Sequence, residues 1–141
     1  MLDSYLLNSH SGQLHQDELD LLNELLKENQ DKHVLVCLHH QPVEIGSEWM
    51  DSMCLENPEE FFAVLDKYTH VKAVLWGHIH QEFYSERNSV RLMATPSTCV
   101  QFMPETREYL KDVRTAGYRY IKLNFSGEIE TYILRLNEDI D

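Results

Sequence analysis

Two short apolar runs, each stopped by histidines, constrain this chain more than any other feature. Val34-Leu35-Val36-Cys37-Leu38 leads into His39-His40-Gln41-Pro42, and Ala73-Val74-Leu75-Trp76 leads into Gly77-His78-Ile79-His80. The first run reads as a fully buried strand, and Pro42 stops further ladder pairing because it lacks an N–H. In open α/β sheets ligands gather outside the carboxyl ends of strands, so both histidine pairs are expected at one crevice. Residues two apart in an extended segment project to one side, which would aim His78 and His80 together, while Gly77 lets the backbone turn close beside them. Imidazoles aimed at one point suit a metal ion.

The rest of the chain reads as alternating helices and strands. Met1 to Leu7 is expected as a short strand and Asn8 to Gly12 as a loop. Asp17 to Asn29 is expected as an amphipathic helix with Leu21, Leu22, Leu25 and Leu26 on one face. Its acids stand in the first turn and Lys27 in the last, matching the helix dipole. A β-α-β unit with a right-handed crossover would then lead into Val34. Val43 to Glu56 has no periodicity and reads as a mobile or ligand-facing loop, in which Trp49 and Met50 either cover a nucleotide base or pin the loop to the core. Asn57-Pro58-Glu59-Glu60 starts a second helix that buries Phe61, Phe62, Val64 and Leu65 and ends near Tyr68-Thr69-His70. Glu82 to Ser85 and Val90 to Ala94 suggest a hairpin around Arg87-Asn88, followed by a polar loop from Thr95 to Cys99. Tyr118 to Phe125 and Glu128 to Leu136 suggest another around Ser126-Gly127, with Ile121, Leu123 and Phe125 sharing a face. Asn137 to Asp141 reads as a frayed acidic tail.

Composition narrows the partners. A net charge of -12, from 24 acids against 12 Lys and Arg, speaks against non-specific nucleic-acid binding, which needs clustered cations. No apolar run approaches the roughly 20 residues of a membrane span, and no secretory leader is visible, so no membrane partner and a cytoplasmic location are expected. Cys37, Cys54 and Cys99 lack CxxC spacing and read as core or free thiols. His10, His15, His33 and His70 are expected at the surface.

The histidine motifs carry a resemblance. Leu38-His39-His40-Gln41-Pro42, joined to Gly77-His78-Ile79-His80, resembles the calcineurin-like metallophosphoesterase superfamily. The continuation through Gln81-Glu82 and the stretch from Ala94 to Phe102, Ala-Thr-Pro-Ser-Thr-Cys-Val-Gln-Phe, is similar to its bacterial 3',5'-cyclic AMP phosphodiesterase branch. The resemblance implies an α/β fold, the C-terminal half of an αββα sandwich, with a mixed sheet, two helices and C-terminal antiparallel hairpins over residues 1–141. It implies His39 and His78 on one metal ion and His80 on a second, with His40 beside them as an outer or substrate-side group. Thr95, Ser97 and Thr98 are either a plain turn or substrate-side residues. The two divalent ions, Fe, Mn or Zn, would stand about 3.5 to 4 Å apart, polarise a phosphodiester such as a cyclic nucleotide and turn a bridging water into hydroxide for in-line attack.

The chain also departs from the family pattern. The superfamily uses an Asp-x-His, a Gly-Asp and a Gly-Asn-His-Asp/Glu, whereas the glycines here precede Gln13, Ser47, His78, Tyr118 and Glu128. The single Asp-x-His, Asp31-Lys32-His33, falls between a helix and a strand and reads as coincidence. The expectation is therefore that the N-terminal half, with the bridging aspartate and the proton donor, lies outside this chain. Alone, the chain would hold at most one ion and be inactive, and its cut sheet would favour a homodimer or strand exchange. The alternative reading is a non-catalytic metal-binding or interaction module; a plain structural domain without metal is a third.

Overall fold

The layers follow from alternation along the central strands. In the computed structural model, which describes residues 1–136, β1 (Val34–Leu38) and β2 (Val71–Trp76) pair in parallel, and β2 pairs in parallel with β4 (Val90–Ala94). β3 (Phe83–Arg87) pairs antiparallel with β4, giving a mixed sheet in the order β1-β2-β4-β3. Val36, Leu38, Val74, Trp76, Leu92 and Ala94 face one side and pack with the helices, while Leu35, Ala73, Leu75 and Met93 face the other. Each strand thus divides its side chains between two packed layers.

Two helices cover the first face. α1 (Gln16–Glu28) buries Leu19, Leu22 and Leu26, spaced three and four apart, and α3 (Pro58–Leu65) buries Phe61, Val64 and Leu65. Leu21 and Leu25, expected on the buried face of α1, are 45% and 48% exposed, because the stripe through Leu19 points them to its flank. α3 stops at Leu65, short of the expected Tyr68. The Asn57 side chain caps no backbone N–H of the helix; its amide donates to Glu60 Oε2 at 2.9 Å and exchanges hydrogen bonds with the Leu14 backbone at 3.0 and 2.8 Å, tying the start of α3 to the segment before α1.

The second face is covered by the hairpin of β5 (Gly117–Leu123) and β6 (Ile129–Arg135), through Ile121, Leu123 and Ile129. Arg119 strengthens the joint by donating to the Ala94 carbonyl from Nε at 3.0 Å and Nη2 at 2.8 Å, and Arg91 donates to the Ile129 carbonyl at 2.7 Å. This coverage is partial. β1, expected to be buried on both faces, leaves Val34, Leu35 and Cys37 only half-buried. Phe125 lies beyond β5 and is fully exposed instead of sharing the face of Ile121 and Leu123. The outer face of the hairpin carries exposed Tyr118, Tyr120 and Tyr132, the last two stacked at 4.8 Å across the strands.

Three further expectations need correction. Met1 to Leu7 is no strand: it runs beside β1 but makes one backbone bond there, Leu2 N–H to Cys37 O at 2.8 Å, so no β-α-β unit precedes β1. The parallel connection instead runs from β1 to β2 through α3. The Val43 to Glu56 segment contains a single helical turn, α2 (Glu48–Asp51), and buries Ser47, Met50 and Leu55. The β3–β4 turn falls at Asn88-Ser89, both with positive φ, one residue later than expected. The tail from 137 to 141 lies outside the described residues.

Candidate metal centre

The histidines meet where β1 and β2 end side by side, Leu38 opposite Trp76. His39 and His40 follow β1 directly, so adjacent rings point apart yet stand 4.9 Å between centroids. His78 enters from β2, with its ring 5.0 Å from His39 and 4.6 Å from His40. Each of His39, His40 and His78 offers a ring nitrogen, and these three lie within 4.8 Å of one another.

Strand alternation does not place His78 and His80. Both adopt left-handed backbone, with φ of 42° and 49°, around Ile79, which is fully buried. Left-handed conformation in a residue with a side chain costs about 1–2 kcal/mol, and such outliers gather at functional sites. Thr95 N–H donates to the Trp76 carbonyl at 3.0 Å and Phe102 N–H to the His80 carbonyl at 3.3 Å, so the loop after β4 is bonded to both ends of the turn.

His80 has its own environment. Its ring stacks on Phe102 at 4.3 Å, and Nδ1 stands 2.9 Å from the Val100 carbonyl. A carbonyl only accepts, so Nδ1 carries a proton, and in the neutral form of the ring the lone pair stands on Nε2. Metal-bound histidines are oriented in this way by their outer partners.

Electrostatics keeps the other rings neutral. Burial, followed by His40, His39, His80 and His10, pushes His78 down to about 3. His39 is lowered by burial and then by His80. His40 is lowered by burial and then by His39, against a smaller opposing effect of the His10 backbone. His78 Nδ1 lies 3.2 Å from His39 Nε2, a distance at which one ring donates to the other, and His78 Nε2 is buried without a partner. Neutral imidazoles with an unpartnered nitrogen are the protonation state and the vacancy in hydrogen bonding that a borderline divalent ion requires. The donor set fits such an ion.

A cavity of about 690 Å3 opens beside the cluster, lined by Asp3, Ser4, Tyr5, His39, His40 and Gly77. Sequence reasoning missed this N-terminal wall. Its signals are small residues: Ser4 is buried with Oγ 2.8 Å from His40 Nδ1, and a Cβ on Gly12 would lie 2.3 Å from the same nitrogen. Both sit about 30 residues or more before His40, and no local pattern joins them to it.

The remaining candidates have other partners. Thr95 Oγ1 donates to the Pro96 carbonyl, Ser97 Oγ accepts the Cys99 N–H at 3.0 Å, and Thr98 is exposed. Trp49 is pinned against Phe102 and Tyr109 and donates to Thr106 Oγ1 at 3.2 Å, which favours the loop-anchoring alternative over contact with a base. Met50 is part of the core. His10, His15 and His33 are exposed, and His70 is half-buried against Tyr68. The three cysteines are free thiols, with burial raising Cys37 and, with Asp51 nearby, pushing Cys54 up to about 11.

Comparison with known proteins agrees with the motifs. The chain is 43% identical over 138 residues to a 3',5'-cyclic adenosine monophosphate phosphodiesterase of Pseudomonas aeruginosa, covering 98% of this chain and 51% of that protein. This chain resembles the calcineurin-like metallophosphoesterases. A phosphodiesterase of the same name from Haemophilus influenzae is also 43% identical, over 98% of this chain and 50% of its own length. A 3',5'-cyclic-nucleotide phosphodiesterase of Nostoc is 39% identical, over 96% and 51%. The chain therefore spans about half the length of the curated relatives it matches. A solved dimetal phosphatase from Danio rerio superposes with a TM-score of 0.53 at 16% identity, covering 88% of this chain and 39% of that one, so the two share a fold. No family model matches the chain.

Proposed function

We propose that this chain forms the C-terminal half of a dinuclear metallophosphodiesterase acting on 3',5'-cyclic nucleotides, cyclic AMP foremost, in the bacterial cytoplasm. The observation that carries the reading is the convergence of neutral imidazoles at two strand ends in a chain 43% identical to such an enzyme. In this reading His39 and His78 hold one ion of Fe, Mn or Zn and His80, through Nε2, holds the other. When bound there, such ions would supply Lewis acidity toward a phosphodiester and the positive charge that a chain of net charge -12 lacks.

The chain's own residues bind and orient. One of His39 Nε2 and His78 Nδ1 donates to the other at 3.2 Å, which holds the two rings against each other at the strand ends. Val100 holds the His80 tautomer. Thr95, Ser97 and Thr98 border the substrate, on a loop whose start is bonded to the Trp76 carbonyl. The bridging carboxylate and the proton donor come from an N-terminal half. Without that carboxylate, adjacent divalent ions repel unscreened, so this chain alone takes one ion at most and does not turn over. The edge strand β3 and the exposed tyrosines of β5–β6 favour a homodimer or strand exchange.

Complementation tests the reading. Mixing this chain with the N-terminal half of the Pseudomonas aeruginosa relative should give metal-dependent hydrolysis of cyclic AMP that His78→Ala abolishes. Hydrolysis by this chain alone would overturn the assignment of the carboxylate to another half. A non-catalytic metal-binding module is the second reading, favoured by the lack of any carboxylate in the described cluster; metal binding with no turnover in the mixture would establish it.

A further inference from the structure

Of the four histidines at the strand ends, His80 stands outside the cluster formed by the other three. Two residues after β4 hold it instead. The Val100 carbonyl lies 2.9 Å from its Nδ1, the Phe102 ring stacks on its face at 4.3 Å, and Phe102 N–H donates to its carbonyl at 3.3 Å. Between these two residues is Gln101, a polar side chain only 2% exposed. Its Oε1 accepts the Ser97 N–H at 3.1 Å and its Nε2 donates to the Ser97 carbonyl at 2.7 Å. The amide thus bonds both backbone groups of one residue, as a residue on a neighbouring strand does. The Ser97 carbonyl uses its second lone pair for Gly117 N–H at 2.9 Å, and the Gln101 carbonyl accepts Asp112 N–H at 3.0 Å. The segment from Ser97 to Gln101 is therefore closed on itself by one side chain and tied to the chain leading into β5.

We propose that Gln101 is a positioning residue for the ion assigned to His80. By closing the loop from Ser97 it fixes the Val100 carbonyl and the Phe102 ring, and these hold the His80 ring with Nδ1 protonated and Nε2 free. The inference rests on reading His80 as a metal ligand, and it adds a residue that never meets the ion. A buried primary amide is stable only with its hydrogen bonds made, so the loop conformation and the Gln101 bonds stand or fall together. Once the loop opens, the Val100 carbonyl turns away and a neutral imidazole takes either tautomer. The form protonated on Nε2 offers no lone pair there. Outer partners govern metal affinity because they fix tautomer and ring direction in this way. The loop that Gln101 closes is also the one bearing Ser97 and Thr98. A purely structural part for Gln101, supporting the chain before β5, would instead cost stability and leave His80 as it is.

Gln101→Met decides between these, because it keeps the side-chain length and the backbone bond to Asp112 and deletes only the two bonds to Ser97. Long-range nitrogen-proton spectra of the tag-free, metal-free chain are recorded at about pH 8.5, where a free imidazole is neutral. They should show His80 protonated on Nδ1 alone in wild type and both tautomers in Gln101→Met. His33, whose Nε2 bonds to the Phe125 carbonyl, should be unchanged. The second arm is manganese alone, titrated into this chain mixed with the N-terminal half of the Pseudomonas aeruginosa relative. Wild type should take up two ions per complex. Gln101→Met should keep the first and bind the second about 10- to 100-fold more weakly, the usual effect of losing an outer partner. Circular dichroism confirms folding; Gln101→Asn, one methylene too short to reach Ser97, carries the same expectations if the Met variant does not fold. A wild-type His80 tautomer in a folded variant, mixed tautomers already in wild type, or both ions weakened together would overturn the proposal alone. A wild-type mixture that takes up fewer than two ions would overturn the two-ion reading and the proposal with it.

Discussion

Ile79→Ala tests how the fold places its histidines. Ile79 is fully buried between two residues in left-handed conformation. Holding His78 and His80 there costs about 1–2 kcal/mol each, so about 2–4 kcal/mol together. Truncating the side chain removes three carbons, worth about 0.8 kcal/mol apiece in transfer. Adding the cavity left behind brings the expected loss to about 3–4 kcal/mol, inside the range for buried Ile to Ala. Anchor and strain are thus of similar size, and without the anchor the turn relaxes toward extended backbone. The variant should therefore lose stability and metal affinity together. Urea unfolding followed by circular dichroism, with the midpoint falling at unchanged slope, measures the first; zinc competition on the same samples measures the second. Ile79→Val should cost only about 1 kcal/mol and keep the affinity. A loss below about 1 kcal/mol in Ile79→Ala, or the full loss with zinc affinity unchanged, would refute the idea that the buried isoleucine carries the strain of its neighbours.

Other outcomes follow from single contacts. Ser89→Gly, at φ 65° in the β3–β4 turn, should raise stability by about 0.5–1 kcal/mol in thermal melts, because both central residues of this turn need positive φ; a lower melting temperature would contradict that. Arg119→Met leaves the Ala94 carbonyl without its two donors and should cost about 1–3 kcal/mol, with faster hydrogen exchange in β5–β6 than in β1–β2. His78 titrates near 3 in the folded metal-free chain against about 6.5 unfolded, so below pH 6.5 the unfolded state binds a proton that the native state refuses. Its stability contribution is present above pH 6.5 and is lost as pH falls toward 3. Wild type should accordingly lose stability more steeply than His78→Asn between pH 6.5 and 5, and parallel curves would count against the buried neutral ring.

Much of the framework was legible because periodicity and turn chemistry report on neighbours in sequence. β1, α3 and both hairpins lie within a few residues of their expected positions, since apolar runs, Asn57-Pro58 and Ser126-Gly127 are local signals. The same locality explains the errors. Met1 to Leu7 has strand-like residues but only one ladder bond, and bonding to β1 is a property of two segments. Leu21 and Leu25 lost their place to Leu19, which a count from the first leucine pair overlooks. That His39, His40, His78 and His80 follow two neighbouring strands was readable, but the placement of their rings, which brings His39, His40 and His78 together, was not. Gly77 signals a turn without showing that two histidines beyond it would be left-handed. His40 joins the cluster through Ser4 and Gly12, whose approach depends on the tertiary path of the N-terminal segment.

The central claim is that this histidine cluster holds a divalent ion, and metal content addresses it most directly. Plasma mass spectrometry on tag-free wild type and on His78→Ala, purified without added metal and then exposed to one equivalent of zinc and dialysed, gives the stoichiometry of each. The account predicts near one zinc per chain in wild type and little in the variant. Equal zinc in both, or none in wild type, would contradict it.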